Sequence, residues 1–126
     1  MASIILLNDE VAVKRFPINK PLIHIGRKAD SEIFIDDKVV SIEHAVIEAT
    51  KDPDRERGTL YFLKDLGSTN GTQVNGAKIT RTRLRNGDVI CIGWNTFKFV
   101  DESASEEEKT VRIRKSWIPG VYYAEE

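Results

Sequence analysis

A single cysteine, Cys91, rules out an internal disulfide framework. With only His24 and His44 beside it, soft and imidazole ligands are too few and too scattered for a zinc site, and no metal is expected. Long apolar runs are also missing: nothing approaches the roughly 20 residues of a membrane span. The segment Ile4-Ile5-Leu6-Leu7 gives way at once to Asn8-Asp9-Glu10 and lacks the basic lead of a signal peptide, so a cytoplasmic or nuclear location is expected. Neither charge sign dominates, with 19 Lys and Arg against 20 Asp and Glu, so no overall field draws the chain to nucleic acid or a membrane surface. No amphipathic helix of useful length precedes Asp101, and there is no internal repeat. Residues 67–72 are glycine-rich but lack the lysine of a nucleotide phosphate loop, and no helix follows to lend its dipole. No serine, histidine and acid spacing favours a hydrolase. The expectation is a non-enzyme without a cofactor.

What the chain does have is short β-branched or apolar runs separated by turn residues. This pattern reads as an all-β sandwich or barrel. Strands are expected over 4–7, 11–16, 22–25, 33–35, 44–49, 59–64, 73–74, 78–79, 88–92 and 96–100. Asn75-Gly76 is the strongest hairpin signal, because a type I′ turn wants two residues at positive φ. At 126 residues the chain fits one domain. Composition changes after Val100: residues 101–108 are acidic and polar without a core face, which reads as a flexible linker. Beyond it, Trp117, Ile118, Pro119, Val121, Tyr122 and Tyr123 make an apolar tail too short to fold alone. It either packs back on the domain, docks on a partner, or is the stub of a longer protein. A folded domain over 1–101 and a linker with tail over 102–126 are expected.

The densest polar stretch is Asp65-Leu66-Gly67-Ser68-Thr69-Asn70-Gly71-Thr72-Gln73-Val74-Asn75-Gly76, rich in hydroxyls and amides and free of lysine. Upstream lie Gly26-Arg27 and Ser41-Ile42-Glu43-His44. Arg27, Ser41, Thr69 and Asn70 together offer a fixed cation, two hydroxyls and an amide. That is an inventory for a phosphorylated peptide: a phosphothreonine carries close to two negative charges and three strong acceptors, and a guanidinium meets two oxygens at once. Singly, each piece has a plainer reading: a solvated turn at Gly26-Arg27, a structural histidine at His44, a hairpin turn at Asn70-Gly71.

Taken together, in order and spacing, Gly26-Arg27, Ser41-x-x-His44, Asn70-Gly71-Thr72 and Asn75-Gly76 resemble the forkhead-associated (FHA) domain. Leu84 and Gly87-Asp88-Val89-Ile90-x-Ile92-Gly93 resemble that family's closing strands. The resemblance runs from about Ile4 to Val100. It implies a β-sandwich of about eleven strands whose loops at one end bind phosphothreonine peptides, with a Ser/Thr kinase acting upstream on the partner. It further implies that Arg27, Ser41 and Thr69 contact phosphate, that Asn70 contacts the peptide backbone, and that Gly26, His44, Gly71 and Asn75 are architectural. One departure stands out: Ile42 occupies a position that is often polar or basic in the family, with Lys38 and Arg81 as candidate substitutes for the missing donor. Val39, at a position that tunes choice at the third residue after phosphothreonine, implies an aliphatic preference there.

Thr110-Val111-Arg112-Ile113 in the tail fits that preference, so a phosphorylated Thr110 is a candidate ligand for another copy of the chain, beside the plain reading of an unmodified linker threonine. Ile42 and the apolar tail also fit a different class of function, a phosphorylation-independent assembly module on the same fold. Lys78, Arg81, Arg83 and Arg85 form a basic strip, read as a solvated strand edge before a nucleic-acid contact.

Overall fold

A computed structural model describes residues 2–55 and 58–102. Eleven strands follow one another without a helix among the described residues: β1 (Ala2–Asn8), β2 (Val11–Pro17), β3 (Leu22–Gly26), β4 (Ile33–Phe34), β5 (Ala45–Lys51), β6 (Thr59–Asp65), β7 (Thr72–Val74), β8 (Ala77–Lys78), β9 (Arg81–Arg83), β10 (Val89–Ile92) and β11 (Asn95–Asp101). They form two sheets, ordered β2-β1-β11-β10-β7-β8 and β4-β3-β5-β6-β9. All pairings are antiparallel except β3 with β4.

The alternation of the sequence determines which side chains meet between the sheets. Ile4, Ile90, Ile92, Phe97 and Phe99 come from one sheet, and Ile23, Ile25, Ile47, Tyr61 and Leu63 from the other; all are buried. Tyr61 and Phe99 meet across the layers with ring centroids 5.3 Å apart in a tilted arrangement. Three of the four outermost strands are short or polar; the fourth, β2, has seven residues and exposes Val11 and Val13. β4 and β8 have two residues each, and β9 exposes Arg81 and Arg83, features that discourage edge-to-edge association.

The structure departs from the strand expectations in one place of consequence. β9 had no apolar signal, because its sequence Arg-Thr-Arg faces solvent at an edge; its pairing with Phe62, Leu63 and Lys64 of β6 makes it a strand. The Asn75-Gly76 hairpin joins β7 and β8 as expected, with φ of 52° and 85°. The linker beyond Glu102, Thr110 and the apolar tail lie outside the described residues.

Candidate functional site

Three connections meet at one end of the sandwich: the segment after β3 that carries Arg27, the segment 37–44 before β5, and the turn 66–71 between β6 and β7. Gly26 joins the first two. A Cβ there would fall on the Ile42 carbonyl oxygen and lie 3.0 Å from that of Ser41, so only glycine lets these backbones touch. The contact is sealed by Arg27 N–H donating to Ser41 O at 3.0 Å and Lys28 N–H to Ile42 O at 3.2 Å.

His44 ties the segments from below. It is fully buried, and its Nδ1 accepts from Ser41 N–H at 3.1 Å while Nε2 lies 2.9 Å from Gly71 O. Since a carbonyl only accepts and Ser41 N–H only donates, the ring is the neutral Nε2–H tautomer. One imidazole thus holds the serine loop and the asparagine loop at a set distance.

The turn 66–71 has its own brace in Asp65. One carboxylate oxygen accepts Gly67 N–H and Ser68 N–H, both at 3.0 Å, and the other accepts the Ser68 and Thr72 hydroxyls. Ser68 Oγ in turn accepts Gly71 N–H at 3.0 Å. Burial works against the Asp65 charge, but the hydrogen bonds from Ser68, Thr72 and Gly67 outweigh it and hold the carboxyl below its ordinary range. Gly67 and Gly71 take φ of 77° and 85°, which closes the turn.

The functional side chains stand on this frame. Arg27 is exposed, and its Nε donates to Val40 O at 3.0 Å, which orients the guanidinium and leaves both terminal amino groups without a hydrogen-bond partner among the described residues. Among the described residues it makes no ion pair. Ser41 Oγ accepts Thr69 N–H at 3.1 Å, which keeps its own proton available to a ligand. Thr69 is exposed beside it, and its hydroxyl has no partner among the described residues. Asn70 Nδ2 donates to Val39 O at 2.8 Å, so its amide oxygen and second N–H remain free. Arg27, Ser41, Thr69 and Asn70 are all therefore attached to one short segment, 39–41.

Asn75 lies away from this cluster. Its Oδ1 accepts Val89 N–H at 2.9 Å and its Nδ2 donates to Asp88 at 3.0 Å, tying the β7–β8 hairpin to β10. Ile42 is 53% exposed next to Ser41, an apolar residue at the rim. Of the two cations considered as its substitutes, Arg81 is engaged elsewhere: it stacks 4.1 Å over the Phe62 ring and pairs with Glu48 at 3.3 Å. Lys38 is exposed on the serine-bearing segment.

The FHA domain family model matches residues 23–93, the span from β3 to the end of β10 that carries all of these loops. The chain belongs to the FHA domain family. The glycogen accumulation regulator GarA of Mycolicibacterium smegmatis is 35% identical over 76% of this chain and 56% of its own length. This FHA chain thus spans little more than half of that relative. Among solved structures, it is similar to a domain from a structural and functional analysis of phosphothreonine-dependent FHA domain interactions. That likeness has a TM-score of 0.67 at 29% identity, covering 80% of this chain and 96% of the other. It is similar also to Mycobacterium tuberculosis EmbR in complex with a low-affinity phosphopeptide, with a TM-score of 0.68 at 29% identity over 83% of this chain and 25% of EmbR.

Two parts of the FHA rim went unremarked in the sequence. The Asp65 and Ser68 brace was legible in principle as an Asx-type turn, an acid followed by Gly and Ser. Trp94 is the other: Gly93-Trp94 is the two-residue turn between β10 and β11, and a side chain at such a tip has no core to enter. It is 88% exposed. No helix among the described residues is long and apolar enough to cross a membrane, and no cluster of three or more metal-ligating side chains occurs among them.

Proposed function

We propose that this FHA domain is a non-catalytic, phosphothreonine-dependent interaction module that captures a kinase-modified partner through the loops at one end of the sandwich. The observation that carries the reading is the arrangement of Arg27: a guanidinium oriented by Val40 O, unpaired among the described residues, and joined through its own backbone to the segment bearing Ser41. In this reading the guanidinium takes two phosphate oxygens, the Ser41 and Thr69 hydroxyls take others, and Asn70 binds the peptide backbone with its free amide atoms. Asn70 is held at Val39, so phosphate and backbone are read at one spacing, which sets register. Charge-assisted hydrogen bonds contribute roughly 1.5–3 kcal/mol each. Three or four of them support about micromolar affinity after the cost of ordering the peptide.

Titration of the full chain with a phosphothreonine peptide and its unphosphorylated twin tests this. Binding is expected to need the phosphate and to fall at least about a hundredfold in Arg27→Ala, roughly the loss of two charged hydrogen bonds. Equal affinity for both peptides would reject the reading. The exposed Ile42 at the rim favours a second reading, a phosphate-independent assembly module on the same fold. Binding to a partner that survives Arg27→Ala but is lost on deleting residues 117–123 would select that one.

A further inference from the structure

Of the four strands that end the two sheets, β2 alone is long enough to pair again. It closes one side of the six-stranded sheet and exposes Val11 (64%) and Val13 (57%). Its ladder with β1 sets Leu6 opposite Lys14 and Leu7 opposite Ala12, so Val13 is bulged and has no partner on β1. Next to it, a cleft of about 260 Å³ opens between β2 and β4 over Leu6, Phe16, Ile33 and Phe97. Phe34, 46% exposed, stands at its side. This flank of the sandwich therefore shows Val11, Val13 and Phe34 to water.

The charges of the β1–β2 hairpin follow a particular order. Asp9 and Glu10 are acids, Val11, Ala12 and Val13 are aliphatic, and Lys14 and Arg15 are bases; all seven are exposed. Laid antiparallel against a copy of itself about a two-fold axis at Ala12, this segment sets Val11 opposite Val13, Glu10 opposite Lys14 and Asp9 opposite Arg15. Each pair then occurs twice, and directly opposed side chains of unlike charge attract. Nothing inside the chain accounts for the two acids. They form the turn between β1 and β2 at φ of 53° and 65°, where Asn-Gly is the easy choice and a long side chain such as that of Glu10 is uncommon. Neither carboxylate ends an ion pair among the described residues. The bases are only loosely engaged. Lys14 lies 5.0 Å over the Phe16 ring, and Arg15 bonds Ser3 Oγ but reaches Glu102 at 4.0 Å.

We propose that β2 is a self-association surface, on which two copies of the chain lie antiparallel about an axis at Ala12. The inference goes beyond the phosphothreonine reading and stands without it. A bulge and two bases deter strand addition in general. They suit a strand that brings aliphatic residues to the centre and acids to the ends, and the same hairpin of a second copy does so. A two-fold contact uses the edge of both copies, so association closes at two. The contact is small, at or below about 1,200 Å², and a dissociation constant on the order of 10–100 μM is expected. The β1–β2 turn lies at the recognition end of the sandwich: β1 pairs Leu7 with Thr96, two residues past the Trp94 turn, where a Cβ on Gly93 would come 2.9 Å from Val39. Antiparallel pairing therefore points the two rims in opposite directions. Where the rim captures a phosphopeptide as proposed above, one dimer joins two partners instead of gripping one twice.

Sedimentation velocity of the unphosphorylated full chain, from about 5 to about 500 μM, provides the test. Wild type is expected to pass from monomer to dimer in that range and to go no further. Glu10→Lys and Lys14→Glu each set like charges face to face twice, and each should weaken the dimer by at least about tenfold. An equimolar mixture of the two variants should regain wild-type affinity as a heterodimer, because each introduced charge then meets its opposite. That recovery also shows that both variants are folded. In a Cys91→Ser background, Ala12→Cys should form a disulfide-linked dimer under mild oxidation, and Thr59→Cys on the other sheet should not. A wild-type chain that stays monomeric to the highest concentration overturns the proposal. So does a dimer that both reversals leave intact, one that the mixture fails to restore, or one that Ala12→Cys does not cross-link. Phosphothreonine binding by a strictly monomeric chain would leave the earlier reading standing and remove this one.

Discussion

Gly26 is the residue at which the rim tolerates no side chain, and the reason is a carbonyl oxygen, not a turn. Its φ is not in the left-handed region; what excludes a Cβ is the backbone at Ile42 and Ser41. Backbone cannot yield as a side-chain end can, so Gly26→Ala must push the serine-bearing segment away from β3. We expect a loss of about 2–4 kcal/mol in stability by urea denaturation, together with loss of phosphopeptide binding even at temperatures where the variant remains folded. Retained affinity in a folded Gly26→Ala chain would show that the close approach is dispensable. At this scale the sequence was informative wherever a residue type is chemically unusual for its place, as with an arginine after Gly26 or an amide-glycine pair after hydroxyls. It was weak on Asp65 and Ser68, whose turn signature is common, and mute on Trp94. Acids and serines abound in loops, and exposure of a tryptophan depends on which turn carries it.

Elements show a similar split. Glu32, just before β4, fastens that two-residue strand to β3: Oε1 accepts His24 N–H at 2.7 Å and lies 3.0 Å from His24 Nδ1, while Oε2 lies 3.4 Å from Lys20 Nζ. The backbone hydrogen bond from His24 is the main cause that lowers its carboxyl to about 2; burial opposes, and the His24 and Lys20 side chains assist. A carboxyl depressed in the folded state contributes stability that is complete above its unfolded value of 4.5 and is lost as pH falls toward 2. Glu32→Gln is therefore expected to lower stability by about 1 kcal/mol at pH 7, with the gap to wild type closing between those two pH values in paired denaturation curves. A gap that stays constant across that window would refute the assignment. Strands with an apolar face, such as β5, β6 and β11, were legible from alternation. β9 was not, because a strand made of Arg-Thr-Arg declares itself only through the hydrogen bonds β6 offers it.

For the whole molecule, the division between domain and tail is the open structural claim. β11 pairs with β1 as far as Asp101, whose N–H also donates to Asn86 at 2.9 Å, and we propose that the folded unit ends there. Removing residues 103–126 is expected to leave the melting temperature unchanged and the phosphopeptide affinity within about twofold. If the tail packs on the domain, its removal would lower the melting temperature. If phosphorylated Thr110 serves as a ligand in trans, the modified full chain should gain mass in solution in an Arg27-dependent way; a strictly monomeric phosphorylated chain would exclude it. Alternation of apolar residues and the order of Gly26-Arg27, Ser41, His44 and Asn70-Gly71 sufficed, from sequence alone, for an all-β sandwich of the FHA family. Those features are local, and each is a property of a residue and its near neighbours. What only the tertiary structure decided is that Arg27, Ser41, Thr69 and Asn70 hang from one segment, that Arg81 is spent on Glu48 and Phe62, and that Trp94 stands across a groove from Val39. These are contacts between residues far apart in the chain, and their geometry depends on how two sheets pack, which no local pattern encodes.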